Sequence, residues 1–288
     1  MHNKVTGKIF DYSNYLILLI VGLTTVIPFV YVIASSFATD AEIARRPFFV
    51  IPESVSFEAY RYIFSTNTFV RGIGVSVLVT CLGTLVSLAL TLTMAYPLSK
   101  TRFFGKNAFL SIVVFTMVFG GGMIPTFLVV KDLNLLNSIW ALILPIAINP
   151  FNLIVIKSFF QNLPTALEEQ AKIDGCSDIS VFLRIILPLS MPVIATFTLF
   201  YAVAYWNDYF NALLYIRDSA KWPIQLLLQQ LLMVANVSFG EMSSDFINPP
   251  EESLKMAVVV VASLPIMIFY PFLQKHFAKG VMLGSVKG

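Results

Sequence analysis

An all-α membrane protein with six spans is the fold class this sequence predicts, and three observations predict it. Of 288 residues, 57% are hydrophobic and only 12% are charged, and the mean hydropathy is +0.81. Soluble domains carry about 25% charged residues, so this composition suits another solvent. The apolar residues gather into runs of roughly 20, the length a helix needs to cross hydrocarbon. These runs lack polar/apolar alternation and are too long for barrel strands, so their backbone hydrogen bonds must close within helices.

The runs lie at about 14–37, 70–97, 108–130, 138–156, 185–205 and 256–274. The first exceeds the 7–15-residue core of a secretion leader, and "VIASSFA" (32–38) is its only approach to a cleavage pattern. It reads as a retained helix. The loop that follows, 38–69, is broken by Pro47 and Pro52, and its later part reads as an amphipathic surface helix. The third and fourth runs are separated only by "KDLNLLN", which predicts a tight helical hairpin. Gly120, Gly121, Gly122 and Pro125 interrupt the third run, where they favour a kink or close packing. A long segment, 206–255, precedes the last run. One transmembrane domain over 1–288 is expected, with no second soluble domain.

Lysine and arginine orient the spans. With the N-terminus inside, inner segments hold eleven of these cations and outer segments eight. The short loop "SKTRFFGK" (99–106) has three cations and no acid, and both termini are basic. Both termini are therefore expected in the cytoplasm. The net charge of +3 is a topology signal and not a nucleic-acid footprint.

Several function classes lack their chemistry. The span interiors are nearly free of ionisable residues, with Arg71 at an edge, whereas ion-coupled transporters rely on intramembrane relays. Gly7-Lys8 and Gly105-Lys106 lack the earlier glycine and the following Ser/Thr of a phosphate loop. Neither G-x-S-x-G nor H-E-x-x-H occurs. Cys81, Cys176, His2 and His276 fall in no metal-ligand spacing. The chain is expected to be non-catalytic, with no metal or cofactor of its own.

The charge that remains is concentrated at 161–184. Pro164 suits a first helical turn, and Glu168 and Glu169 lie toward the end of that helix where the dipole favours anions. Leu163, Leu167 and Ala171 recur every four residues as an apolar stripe. Asp174-Gly175 reads as a stop, with Gly175 taking the left-handed cap, and Ser177 can cap a second short helix. The result is a helix–Gly–helix elbow leading into the fifth run. Without further pattern it also reads as an amphipathic linker resting on headgroups.

The stretch "EQAKIDGCSDISVFLRIILPLSMP" resembles the EAA loop of permease subunits of ABC importers. Glu169, Gln170, Ala171, Gly175, Ile185, Leu187 and Pro188 carry the order and spacing. Gln170 and Cys176 stand where alanines are usual. "FGGGMIPTFLVVKDLNLLNSIWALILP" (119–145), "YWNDYFNALLYI" (205–216) and the ending "GSVKG" are similar to carbohydrate-class permeases, the last to the smaller maltose-importer permease. Finer similarity points to permeases for pectin- or alginate-type oligosaccharides.

The resemblance implies a heterodimer with a second permease, two cytoplasmic ATPases that bind ATP and magnesium, and an external solute-binding protein, all at a bacterial cytoplasmic membrane. Glu168, Glu169, Ala171, Asp174, Gly175 and Lys287 would serve ATPase coupling. Glu169 would make the polar contact, Ala171 would allow close approach, and Gly175 would shape the elbow. Trp206, Asn207 and Tyr209 would line the outer path, where aromatic faces and amides suit sugar rings; an interfacial aromatic belt is the alternative. Phe239, Glu241 and Met242 would meet the binding protein, unless 236–250 is a plain connector. A secondary transporter or a membrane scaffold are the competing classes, and the scaffold leaves the loop pattern unexplained.

Overall fold

Two unbroken helices account for the first two apolar runs: α1 (His2–Ser36) and α4 (Asn67–Ser99). Both are long and apolar enough to cross a bilayer. The structure is a computed structural model that describes residues 2–101, 103–236 and 252–285, with side chains over 10–101, 103–233 and 252–268. Its contacts group into two units, Met1–Val70 with Leu228–Leu264, and Arg71–Leu227 with Pro265–Gly288.

In the first unit, α1 presents its side chains over 10–29 outside the chain's own core, and near its end Ala34 packs with Phe49. The following loop is held by a buried carboxylate. Glu42, on α2 (Asp40–Arg45), accepts from the Arg46 guanidinium at 3.0 Å and the Glu53 amide at 2.8 Å. A charge-assisted acceptor with several donors is the usual way to make such burial tolerable. The amphipathic helix expected in this loop is α3 (Glu58–Ser65), and the Tyr60 hydroxyl joins Ser36 at 2.7 Å. Asp40 accepts from the Ser253 amide at 2.8 Å, at the start of α15 (Glu252–Ser285).

The second unit differs from a set of straight spans. The third run is two helices, α5 (Lys106–Val118) and α6 (Met123–Asp132), bent by 119°. Gly122 has φ +84°, ψ 165°, a region essentially limited to glycine, and Pro125 cannot donate in the first turn that follows. The kink expected at these glycines is therefore a full break. The fourth run divides at 147–149, with a 56° bend between α7 (Trp140–Ile143, extended to Ile146 as a 3₁₀ turn) and α8 (Pro150–Gln161). Pro150 keeps Asn149 extended, and the Asn149 side chain caps α8 through the Asn152 amide at 3.2 Å.

The fifth run bends by 81° at Ser190. Before it come α10 (Asp178–Val181), a π-helical turn (Phe182–Ile186) and α11 (Leu187–Leu189); after it comes α12 (Met191–Trp206). Pro188 and Pro192 delete two amides one turn apart, so the ladder cannot pass straight through. Composition sees an apolar run and is blind to these breaks. Counting each bent pair as one span gives up to five candidate spans among the described residues, and α15 is a continuous 34-residue helix.

Close approaches hold α4 to its neighbours. A Cβ on Gly83 would stand 2.8 Å from the Tyr205 ring, and one on Gly72 2.6 Å from Leu227. The Ser76 hydroxyl accepts from the Ile224 amide at 2.8 Å, at the start of α14 (Ile224–Asn236). The expected hairpin after α6 turns through Asn134 and Asn137, both with positive φ. Asn137 also binds the end of α13 (Phe210–Tyr215) and the segment after it: its amide donates to Tyr215 O and its side-chain oxygen accepts from the Asp218 amide.

Candidate functional site

The charged segment folds as the elbow its residues predict. Its first limb is α9 (Thr165–Ile173), with Pro164 one position earlier than expected, at the N-cap. The helix ends in a complete Schellman motif. The Gly175 amide donates to Lys172 O at 3.1 Å and the Cys176 amide to Ala171 O at 2.9 Å, with Gly175 at φ +82°. Ser177 then caps α10, its hydroxyl accepting from the Ser180 amide at 3.3 Å. Two short helices are thus joined by a turn whose geometry is over-determined.

The residues expected to serve coupling divide between the two faces of this elbow. Glu169 and Asp174 are exposed, as a partner contact requires. Glu168 is placed differently: it is ion-paired with Lys100, at the end of α4, and its side chain is only 15% exposed. Ala171 is buried under α9, in a cluster with Leu153, Ile156, Phe160 and Val181. Its small size serves packing on its own chain, and it is not on the face open to a partner. Lys287 lies outside the described residues, as do Phe239, Glu241 and Met242.

Three features went unread in the sequence. Ile173 is 84% exposed and Ile179 is 72% exposed, so the outer face of the elbow is apolar as well as acidic. Their departure from the four-residue stripe was the available signal. Lys172 pairs with Asp178 across the Gly175 turn at 2.8 Å. In the sequence Lys100 carries only a topology signal. Behind the elbow a cavity of about 480 Å³ is lined by Tyr96, Lys100, Phe103, Lys172, Asp178 and Phe182, so the 99–106 loop and the 161–184 loop meet.

The other candidates cluster at the corner between α12 and α13. Asn207 caps α12 and is exposed, and Tyr209 is exposed beside Phe210. Trp206 is 5% exposed, so its ring is packed inside the protein and offers no open face to a sugar. Asp208 is tied to the Asn211 amide at 3.1 Å and to its side chain at 2.8 Å. Burial lifts the Asp208 carboxyl above the usual range, against the lowering effect of these bonds. Among the described residues, no group of three or more His, Cys, Asp or Glu can hold a metal.

Bent apolar helices carrying a rigid charged elbow define a membrane transport subunit. The sequence comparison agrees, since residues 87–283 match the model of the binding-protein-dependent transport system inner membrane component. The chain belongs to that family. It is 59% identical to protein LplC of Bacillus subtilis, over 100% of this chain and 98% of that one. It is 56% identical to the polygalacturonan/rhamnogalacturonan transport system permease protein YtcP of the same organism, over 98% and 99%. Among solved structures it resembles a bacterial ABC transporter involved in import of the acidic polysaccharide alginate. The TM-score there is 0.86 at 31% identity, covering 94% of this chain and 97% of that one.

Proposed function

We propose that this chain is one of two paired permeases of an importer for acidic oligosaccharides, with pectin-type fragments as the substrate. It forms one transmembrane domain over 1–288, in a bacterial cytoplasmic membrane, with both termini inside. Two ATPase subunits bind ATP and magnesium and dock on the elbow, while this subunit neither binds nor hydrolyses nucleotide. A solute-binding protein delivers sugar from outside, and 236–250, with Phe239, Glu241 and Met242, is its contact. Asn207 and Tyr209 line the outer path, and Lys287 reaches the ATPase interface.

The observation that carries this reading is the elbow itself. A Schellman-capped helix presents Glu169, Asp174 and Ile173 outward on a rigid turn. An apolar side chain beside a carboxylate suits the mixed apolar and polar surface of a protein socket. The relatives support the substrate class. The grouping of loops by side has a geometric support: 99–106 meets 161–184, and 131–138 meets 215–221, which pairs loops assigned to the same side.

The test is Glu169→Lys in the assembled importer. Reversing an exposed charge changes fold stability by no more than about 0.5 kcal/mol, so insertion and expression should persist. Loss of a charged contact at an interface costs about 2–5 kcal/mol, so ATPase pull-down and uptake of labelled oligogalacturonides should fall at least about tenfold. Normal pull-down and normal uptake in this variant would sink the docking role.

A further inference from the structure

The underside of the elbow holds an ion pair between residues far apart in sequence. Lys100 follows the last turn of α4, its amide closing on Pro97 O at 3.0 Å. Its ammonium lies 4.2 Å from the centre of the Tyr96 ring and pairs with Glu168 on α9. The Tyr96 ring meets Phe160, near the end of α8, edge-on at 6.2 Å. It also lies 4.9 Å from Phe182, at the start of the bent fifth run. One ammonium and one ring therefore touch the coupling helix and the ends of three apolar runs.

The pair is not an ordinary surface bridge. The Lys100 and Glu168 side chains are 31% and 15% exposed, while Lys172 and Asp178 are 54% and 74% exposed. Pairs withdrawn from water are less screened by salt, and removing one member leaves a poorly solvated charge. The cation over the aromatic face adds a second restraint on the same ammonium.

We propose that Lys100 is a positioning residue for coupling, a strut that makes α9 and the end of α4 move as one body. This rests on the reading of α9 as the ATPase docking helix. Through the strut, a displacement of α9 is passed to the second span and not absorbed by the turn at 161–164. The strut also holds Glu168 away from the partner, which leaves Glu169 as the acidic contact.

The experiment uses the assembled complex of both permeases and the ATPases in nanodiscs, with Cys81→Ser and Cys176→Ser. Nitroxides at Leu90→Cys on α4 and Ala166→Cys on α9, both exposed positions, report the distance between the two helices. The probe is MgATP with vanadate, compared with no nucleotide. Wild-type Lys100 should give a narrow distribution that is the same in both states. Lys100→Glu should roughly double its width, or make it shift with nucleotide, because the two helices then sample separate positions. Lys100→Arg should stay narrow, and Lys100→Glu with Glu168→Lys should be narrower than Lys100→Glu alone, a rescue that lost packing alone does not produce.

ATPase pull-down should stay within about twofold in all of these variants, since Glu169 is untouched. A Lys100→Glu distribution as narrow and nucleotide-insensitive as wild type overturns the strut, and so does a charge swap no narrower than Lys100→Glu alone. Failure of the docking reading shows elsewhere, as normal pull-down in Glu169→Lys. The nucleotide-free width tests the strut even then.

Discussion

The Tyr201 hydroxyl stands 2.7 Å from the Thr91 hydroxyl and accepts from the Asn149 amide at 3.2 Å. One side chain on α12 thereby joins α4 to the break before α8, where a freed backbone amide has no helical partner. In hydrocarbon such a group must be satisfied by protein. Tyr201→Phe removes the oxygen and leaves both partners unpaired, at a cost of about 1–3 kcal/mol. The thermal midpoint of the purified permease pair should drop, whereas Tyr209→Phe, at an exposed ring, should change stability by less than about 0.5 kcal/mol. Equal midpoints for the two variants would remove the role assigned to Tyr201.

Gly83 and Gly74 lie in the same helix but in different surroundings. A Cβ on Gly83 would meet the Tyr205 ring at 2.8 Å, and nothing lies within 4 Å of one on Gly74. The ring cannot step aside freely, because its hydroxyl is 2.8 Å from Ser87 and 3.2 Å from Ile143 O. Gly83→Ala should therefore destabilise by about 1–3 kcal/mol through overpacking. Gly74→Ala should be neutral or gain up to about 1 kcal/mol from helix propensity. Thermal midpoints measured side by side check the contrast, and a stable Gly83→Ala would mean that α4 and α12 are packed more loosely.

The Asp208 carboxyl, lifted by burial, gives a pH signature. A raised folded-state pKa means that the folded protein binds more protons than the unfolded chain over that window. Its contribution is thus fully present below the unfolded value and is lost as pH rises through the folded one. Asp208→Asn keeps an oxygen for the Asn211 amide and removes the charge. The variant should match wild type in acid and gain on it as pH rises through and above the carboxylate range. Parallel stability curves between pH 4 and pH 8, in steps of about one unit, would show that the carboxylate carries no such penalty.

The elbow was the most legible part of the chain because its signals are local. Pro164, Asp174-Gly175 and Ser177 act within one turn of themselves, and each sits within one position of where sequence placed it. The long apolar helices α1 and α4 were equally plain, since length and composition suffice for them. The bends were harder. Gly122 and the Pro188/Pro192 pair signal interruption, but the angle depends on what the chain packs against afterward. The partner of Glu168 and the burial of Trp206 were illegible for a related reason. Lys100 is 68 residues from Glu168, and no pattern in a single sequence announces a contact of that range. Ala171 reads the same as a docking or a packing residue until burial decides.

The last prediction isolates the turn of the elbow. Gly175 has φ +82°, yet no atom lies within 4 Å of the Cβ it lacks, so a substitution there is punished by backbone conformation alone. For an alanine the left-handed region costs about 1–2 kcal/mol; a β-branched valine should cost more, and asparagine less. The strain falls on the two bonds of the cap, from Gly175 to Lys172 and from Cys176 to Ala171. These can open without disturbing the spans, so the global thermal midpoint should hardly move. In Gly175→Ala the amides of residues 175 and 176 should exchange about 5–30-fold faster, the factor that one or two kcal/mol implies. ATPase pull-down should weaken in the order asparagine, alanine, valine, because the helix end that aims Glu169 and Ile173 is released in that order. Exchange that quickens while pull-down stays constant across the three variants would show that the ATPase grips α9 without needing its turn.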